Sequence, residues 1–267
     1  MKKILIASVA LLLVIALSAH EFWLEPQKFI CKRGEPILVR FMVGENFEGE
    51  NWNGNRSLVN SLKIYSQDFT DDLTDALSDS TSGDSLKLQY FDEGELLLTY
   101  QSNNKFIQLE ASKFNEYLKE EGLDSIIGQR KSRNETDSLG RESYQRSVKT
   151  LILVGNKTND VSKMTTDLPV DIVPQSDPYS IKNKQDLKIK IFFNQNPLPN
   201  SLVKLWHRVH NSTEQTQYIT NADGEISVPV STTGKYMLTT VVMQRQPSDS
   251  ASQWQSYWSS LTWGYEH

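Results

Sequence analysis

The amino-acid sequence predicts a mainly β protein of two β-sandwich-like domains. The first carries an α-helical insertion and the second is of immunoglobulin or prealbumin type. Three observations lead there. Short apolar or alternating runs rich in Val, Ile, Leu, Phe and Tyr recur along most of the chain, bounded by Gly, Pro, Asn and Asp. Between about residues 111 and 148 the apolar spacing becomes helical. After Leu168, six or seven short strands fit into roughly a hundred residues, the density of a sandwich.

The elements follow in order. Residues 29–44 read as strand, turn, strand, with Gly34 and Pro36 in the turn, and residues 44–55 as a Gly- and Asn-rich loop. Strands are expected over 58–65, 86–91, 96–100 and 105–109, with an acidic, Ser-rich stretch at 67–84. Residues 111–122 place Phe114, Tyr117 and Leu118 on one helical face, with Ser112 available as a cap. Residues 123–127 extend or follow that helix, and a second is predicted over 136–148. The chain returns to strand at 151–155, and the polar stretch 156–167 reads as a linker. Beyond it, strands are predicted at 187–193, 202–209, 217–220, 226–230, 236–243 and 257–265. This divides the chain into domains at 20–165 and 168–267.

The first nineteen residues read as a secretory signal peptide. Lys2 and Lys3 precede an apolar run too short to span a bilayer, and Ser18 and Ala19 form a small-residue exit. Cleavage after Ala19 leaves His20 first, and cleavage after Ser18 leaves it second. The expected location is periplasmic or extracellular, with no transmembrane segment in the mature chain. Twenty-eight basic and 33 acidic residues give a net charge of −5 without a basic stripe, which argues against nucleic acid as a partner. Cys31 is the sole cysteine, so no intrachain disulfide forms, and it reads as a small buried apolar residue.

Three segments carry a family resemblance. The first is His20, Glu21, Phe22, Trp23, Leu24, Glu25 and Pro26. The second runs over 140–149 with Arg141, Glu142, Tyr144, Arg146 and Lys149. The third comprises Pro197 to Pro199, Val203 to Arg208, Asp223 with Gly224, Thr233 to Tyr236, and Tyr257 to Thr262. On these the chain resembles a bacterial exported family, the domain of unknown function 4198, which is similar to the substrate-specific component of nickel uptake systems. The resemblance implies two β-rich domains and a soluble or surface-associated accessory role in nickel or cobalt uptake. The implied partner is a metal-uptake transporter or another envelope protein.

The candidate metal ligands are His20, Glu21 and His207. A free α-amine, the next amide nitrogen and an imidazole at a mature N-terminus suit Ni²⁺ or Cu²⁺, and Glu21 could add a carboxylate. The plainer reading makes His20 and Glu21 a polar start docked by Phe22, Trp23 and Leu24. Alternation puts His207 with Val203, Leu205 and Val209 on one face of a strand, where a hydrogen-bonded core role outweighs ligation. His210 and His267 read as exposed. Residues 141–149 read as a helical charged stretch in which Glu142 and Arg146 form an i,i+4 pair.

Asp223 with Gly224 reads as a hairpin turn rather than a calcium ligand. Trp254, Trp258 and Trp263 read as sandwich core rather than a carbohydrate platform. No nucleophile elbow or Cys–His arrangement occurs, so the expected function is non-catalytic binding. The alternative is a structural or adhesive module that binds a protein or glycan through its sandwich.

Overall fold

The structure is a computed structural model that describes residues 21–52, 56–77, 85–247 and 251–266. His20, His267 and the signal segment lie outside the described residues. The first half contains β1 (Glu21–Pro26), β2 (Ile30–Cys31), β3 (Pro36–Glu45), β4 (Glu48–Asn51), β5 (Val59–Tyr65), β6 (Thr70–Asp72), β7 (Leu86–Gln89), β8 (Gly94–Ser102) and β9 (Lys105–Leu109). Two helices follow, α1 (Ala111–Glu120) and α2 (Asp124–Ser132), then the long strand β10 (Gly140–Val154). The second half contains β11 (Val170–Pro174), β12 (Gln185–Phe193), β13 (Asn196–Pro197), β14 (Leu202–Val209), β15 (Ser212–Ile219), β16 (Glu225–Val230), β17 (Lys235–Arg245) and β18 (Trp254–Gly264).

The strands build three layers. A ten-stranded central sheet runs β15-β14-β17-β18-β10-β8-β5-β6, with β2 and β9 also paired to β10. The sheet of β1, β3, β4 and β7 packs on one face together with the helices. The sheet of β11, β12, β13 and β16 packs on the other. Side-chain alternation shows the division. Along β8, Leu96, Leu98 and Tyr100 enter the core shared with β1 and β3, while Leu97 enters the core shared with β11 and β12. Along β10, Val148 and Ile152 take the first side and Leu151 the second.

The fold is mainly β and sandwich-like, as the short-strand spacing implied. The two halves nonetheless share one sheet. β10 pairs in parallel with β18 over Glu142–Thr150 and antiparallel with β8 over Leu151–Val154, so residues before and after the presumed linker lie side by side. Within the stretch 156–167 a turn at Val161–Lys163 is docked, with Val161 and Ser162 buried.

The second helix predicted over 136–148 is corrected. α2 ends at Ser132, and residues 140–148 belong to β10. The charges there misled because Glu142 and Lys149 are buried and held by tertiary partners rather than solvated. Glu142 and Arg146 therefore lie four residues apart on one strand face, with Tyr144 between them, and do not form an i,i+4 helical pair. The loop expected over 44–55 contains β4, paired to β3 from Met42–Asn51 to Glu45–Glu48. Helix α1 begins at Ala111 after Glu110, so Ser112 lies inside its first turn and does not cap it. Asp223 and Gly224 form the expected turn. Gly224 has φ +75°, and the Asn221 Oδ1 atom accepts from the Asp223 and Glu225 amides at 3.0 and 2.9 Å.

Candidate functional site

The site begins with how β1 is held. β1 pairs with β3 from Glu21–Gly44 to Pro26–Val39. Its other edge rests on β18. The Phe22 and Leu24 carbonyls accept hydrogen bonds from the Ser260 and Thr262 hydroxyls, both at 2.7 Å. An edge-on strand sends its side chains to both sides. Phe22 and Leu24 enter the core with β3, β5, β8 and β10. Trp23 enters a separate cluster with Met42, Phe47, Trp206 and Met237. β1 thus divides one face of the central sheet into two compartments, and a small cavity of about 20 Å³ lies at its start. Glu21, Phe22, Glu121, Arg146, Thr239 and Trp258 are among the residues that line it.

On the Glu21 side the cavity is acidic. Glu121, just past α1, accepts a 2.7 Å bond from the Lys204 Nζ atom of β14. Burial pushes the Glu21 carboxyl up to about 7. Its own backbone amide and Lys204 oppose that rise, and the carboxylates of Glu121 and Glu45 add to it. Glu121 is also shifted upward by burial, against the pull of Lys204. Glu21 therefore feels two neighbouring carboxylates and one lysine at once.

On the Phe22 side the surroundings are basic and aromatic. The Arg146 guanidinium lies 4.5 Å from the Phe22 ring centroid and 5.7 Å from that of Tyr144. Lys105 lies 5.8 Å from the Trp52 centroid. Deeper under α1, Glu142 is buried and accepts from the Tyr117 hydroxyl at 3.2 Å and from the Ser256 hydroxyl. Burial pushes Glu142 up to about 7, against those bonds. Tyr117 stacks on Trp258 at 5.5 Å and roofs this end.

The candidate ligands are not brought together. Glu21 lines the cavity, whereas His207 lies on the opposite face of the central sheet. Lys204 and Trp206 of β14 face Glu121 and Trp23, while Val203 and Leu205, which alternate with them and are in phase with His207, enter the other core. The His207 ring stacks on Tyr236 at 4.1 Å and 4°, and its Nε2 lies 3.0 Å from the Thr233 carbonyl, which requires the proton on Nε2. His207 therefore fills a structural role. His210 is exposed in the β14–β15 turn at φ +52°.

Cys31 is buried, 3.4 Å from the Lys28 carbonyl, and burial pushes its thiol up to about 11, which makes it unreactive at neutral pH. Trp254 and Trp263 are fully buried, so they belong to the core. Among the described residues, no group of three or more His, Cys, Asp or Glu side chains is assembled to hold a metal ion. No helix among them is long and apolar enough to cross a membrane.

Glu121, Lys105 and Tyr100 were not singled out from the sequence. A period-two reading of residues 142–149 would have placed Glu142, Arg146 and Val148 on one face and Ser147 and Lys149 on the other.

A family model, the domain of unknown function DUF4198, matches residues 17–244. The chain belongs to this family. No curated protein matches this DUF4198 chain. Among solved structures it is similar to the D0-D1 domain of intimin, at 12% identity over 90% of this chain and 97% of that one, with a TM-score of 0.24. It is also similar to a Salmonella alpha-2-macroglobulin, at 9% identity over 91% and 15% of the two chains, TM-score 0.22. A third likeness is to latent PorU from Porphyromonas gingivalis, at 13% identity over 89% and 20%, TM-score 0.19. At such scores the likenesses carry no argument, and the fold rests on the strand pairings above.

Proposed function

We infer that this DUF4198 protein is an exported, non-catalytic binding protein of the periplasm or cell surface that takes a transition-metal ion at its N-terminal strand. An accessory role in nickel or cobalt uptake is the context in which such a site would serve. The observation that carries the reading is the environment of Glu21. Its carboxyl is raised to about 7 beside Glu45 and Glu121, with Lys204 as the nearby cation. A divalent cation there would relieve the mutual repulsion. His20 is the next residue toward the N-terminus, and after cleavage at Ser18 or Ala19 it would add an imidazole and bring the α-amine close.

The chemistry sets the pH dependence. Carboxylate, imidazole and amine must all be deprotonated to coordinate. Affinity should therefore rise as pH climbs through about 7, where Glu21 ionises. Intact-mass measurement on envelope-purified protein comes first, because an unprocessed chain has no such N-terminus. Calorimetry with Ni²⁺ and Cu²⁺ then compares the mature chain with His20→Ala, Glu21→Gln and a form bearing one extra N-terminal residue. Each variant should bind at least tenfold more weakly. Equal affinities, or no binding at micromolar metal, would return Glu21 to a purely structural role. The module reading, in which the sandwich holds a protein or glycan, would then lead.

A further inference from the structure

Across β1 from the carboxylates, two cations lie on two touching aromatic rings. Phe22 and Trp52 meet edge to face at 5.6 Å, Arg146 covers Phe22 at 4.5 Å, and Lys105 covers Trp52 at 5.8 Å. The backbone fixes this arrangement. Lys105 stands opposite Tyr144 in the β9–β10 register, and the Arg146 amide donates to the Ser102 hydroxyl at 2.9 Å. Both residues keep part of their surface open to solvent, and the Arg146 guanidinium sits the deeper of the two.

Neither cation has an acidic partner among the described residues. The ion pairs found elsewhere involve other lysines and arginines. Aromatic faces attract a cation but offer its N–H donors no acceptor of hydrogen-bond quality. Burial lowers the proton affinity of both groups, and Arg146 lowers that of Lys105 further. A second observation points the same way. The Tyr100 hydroxyl is fully buried without a hydrogen-bond partner, and it feels the charges of both Arg146 and Tyr144. Its ring stacks on Phe22 at 5.0 Å. An unanswered donor that feels the unanswered Arg146 cation is short of the same thing, an anionic acceptor.

We propose that Arg146 and Lys105, over Phe22, Trp52 and Tyr144, bind an oxyanion, a carboxylate or phosphate group carried by a small molecule. The planar guanidinium presents a fork to two of its oxygens, and the lysine supplies a point charge from the side. The aromatic rings favour a ligand whose body is flat or apolar behind the anionic head. Arg146 borders the same small cavity as Glu21 and Glu121, but it meets that cavity from the Phe22 side, and the anion site does not depend on metal binding at Glu21.

The test uses the full mature chain, with inorganic phosphate and malonate as probes at constant ionic strength. Binding is followed by calorimetry and by tryptophan fluorescence, because Trp52 underlies Lys105. One saturable anion per chain is expected. Arg146→Gln should weaken it at least tenfold and Lys105→Met at least threefold, with unchanged far-UV spectra. A response to phosphate alone assigns a phosphate-bearing ligand, and a response to malonate alone a carboxylate; either supports the site. Saturation by neither probe at tens of millimolar, or wild-type affinity in both variants, overturns it. If Arg146→Gln does not fold, undiminished binding by Lys105→Met overturns it alone.

Discussion

The two faces of the central sheet handle charge differently. Under β11 and β12, the most deeply buried charges form a direct pair. Lys149 and Asp171 form a completely buried pair at 2.6 Å. The lysine also donates to the Ile172 carbonyl, and the aspartate accepts from the Thr166 amide and hydroxyl. Glu95 is pushed up to about 8 by burial and by its neighbour Asp177, and it accepts from the Ser162 amide at 2.7 Å. Under β1 and the helices, by contrast, Arg146 and Lys105 lack acidic partners among the described residues, and Glu21 is raised beside Glu45 and Glu121 while Lys204 pairs with Glu121. The first face is organised for stability. The second keeps unbalanced charge near solvent, the usual mark of a surface that meets a ligand.

The largest effect should come from Lys149→Met. It strands a buried aspartate, so urea unfolding should show a loss of about 3–5 kcal/mol. A near-neutral result would mean that this face is not where the fold is secured. Glu95→Gln comes next. A carboxyl whose proton affinity is higher folded than unfolded stabilises the fold at low pH. That contribution fades as pH rises from the ordinary carboxylate range through about 8. Stability of the wild type should thus fall over this window, and the variant should be flatter and relatively more stable at pH 8–9. Parallel pH profiles in thermal melts would remove the argument.

Two smaller changes sharpen the contrast. A Cβ on Gly140 would approach the Phe114 ring to 2.1 Å, so Gly140→Ala should loosen α1 and cost roughly 1–3 kcal/mol by overpacking. Exchange of the α1 amides should accelerate as the roof over Glu142 lifts; unchanged protection would show that the helix tolerates the shift. The smallest effect belongs to His207→Gln. The stacked, half-exposed ring should cost less than about 1 kcal/mol, and metal affinity should stay at the wild-type value, since His207 and Glu21 lie on opposite faces. A drop in affinity would reconnect them.

The strand set was largely legible, because β-branched runs bounded by turn residues fix where strands begin and end. The turn at Asn221 to Gly224 and the buried state of Cys31 were legible for the same local reasons. The second helix was not, because residues 140–149 owe their strand state to β9 and β18 on either side, not to their own composition. The sharing of one sheet was equally hidden. It depends on a parallel pairing between residues more than a hundred apart in the chain, which no local pattern encodes. For the site, Glu21 was visible as a polar residue beside a docked apolar run. Glu121, Lys105 and Tyr100 become functional candidates only through neighbours brought in from distant strands.

The seat of β1 on β18 has a temporal meaning. The Ser260 and Thr262 hydroxyls that hold Phe22 and Leu24 are contributed 238 residues later in the chain. The N-terminal strand cannot reach its final position until the last strand has been delivered and paired with β10 and β17. Such late closure makes folding slow and non-local. It also makes both compartments beside β1 a product of the finished molecule, so a chain cut short before β18 would lack them.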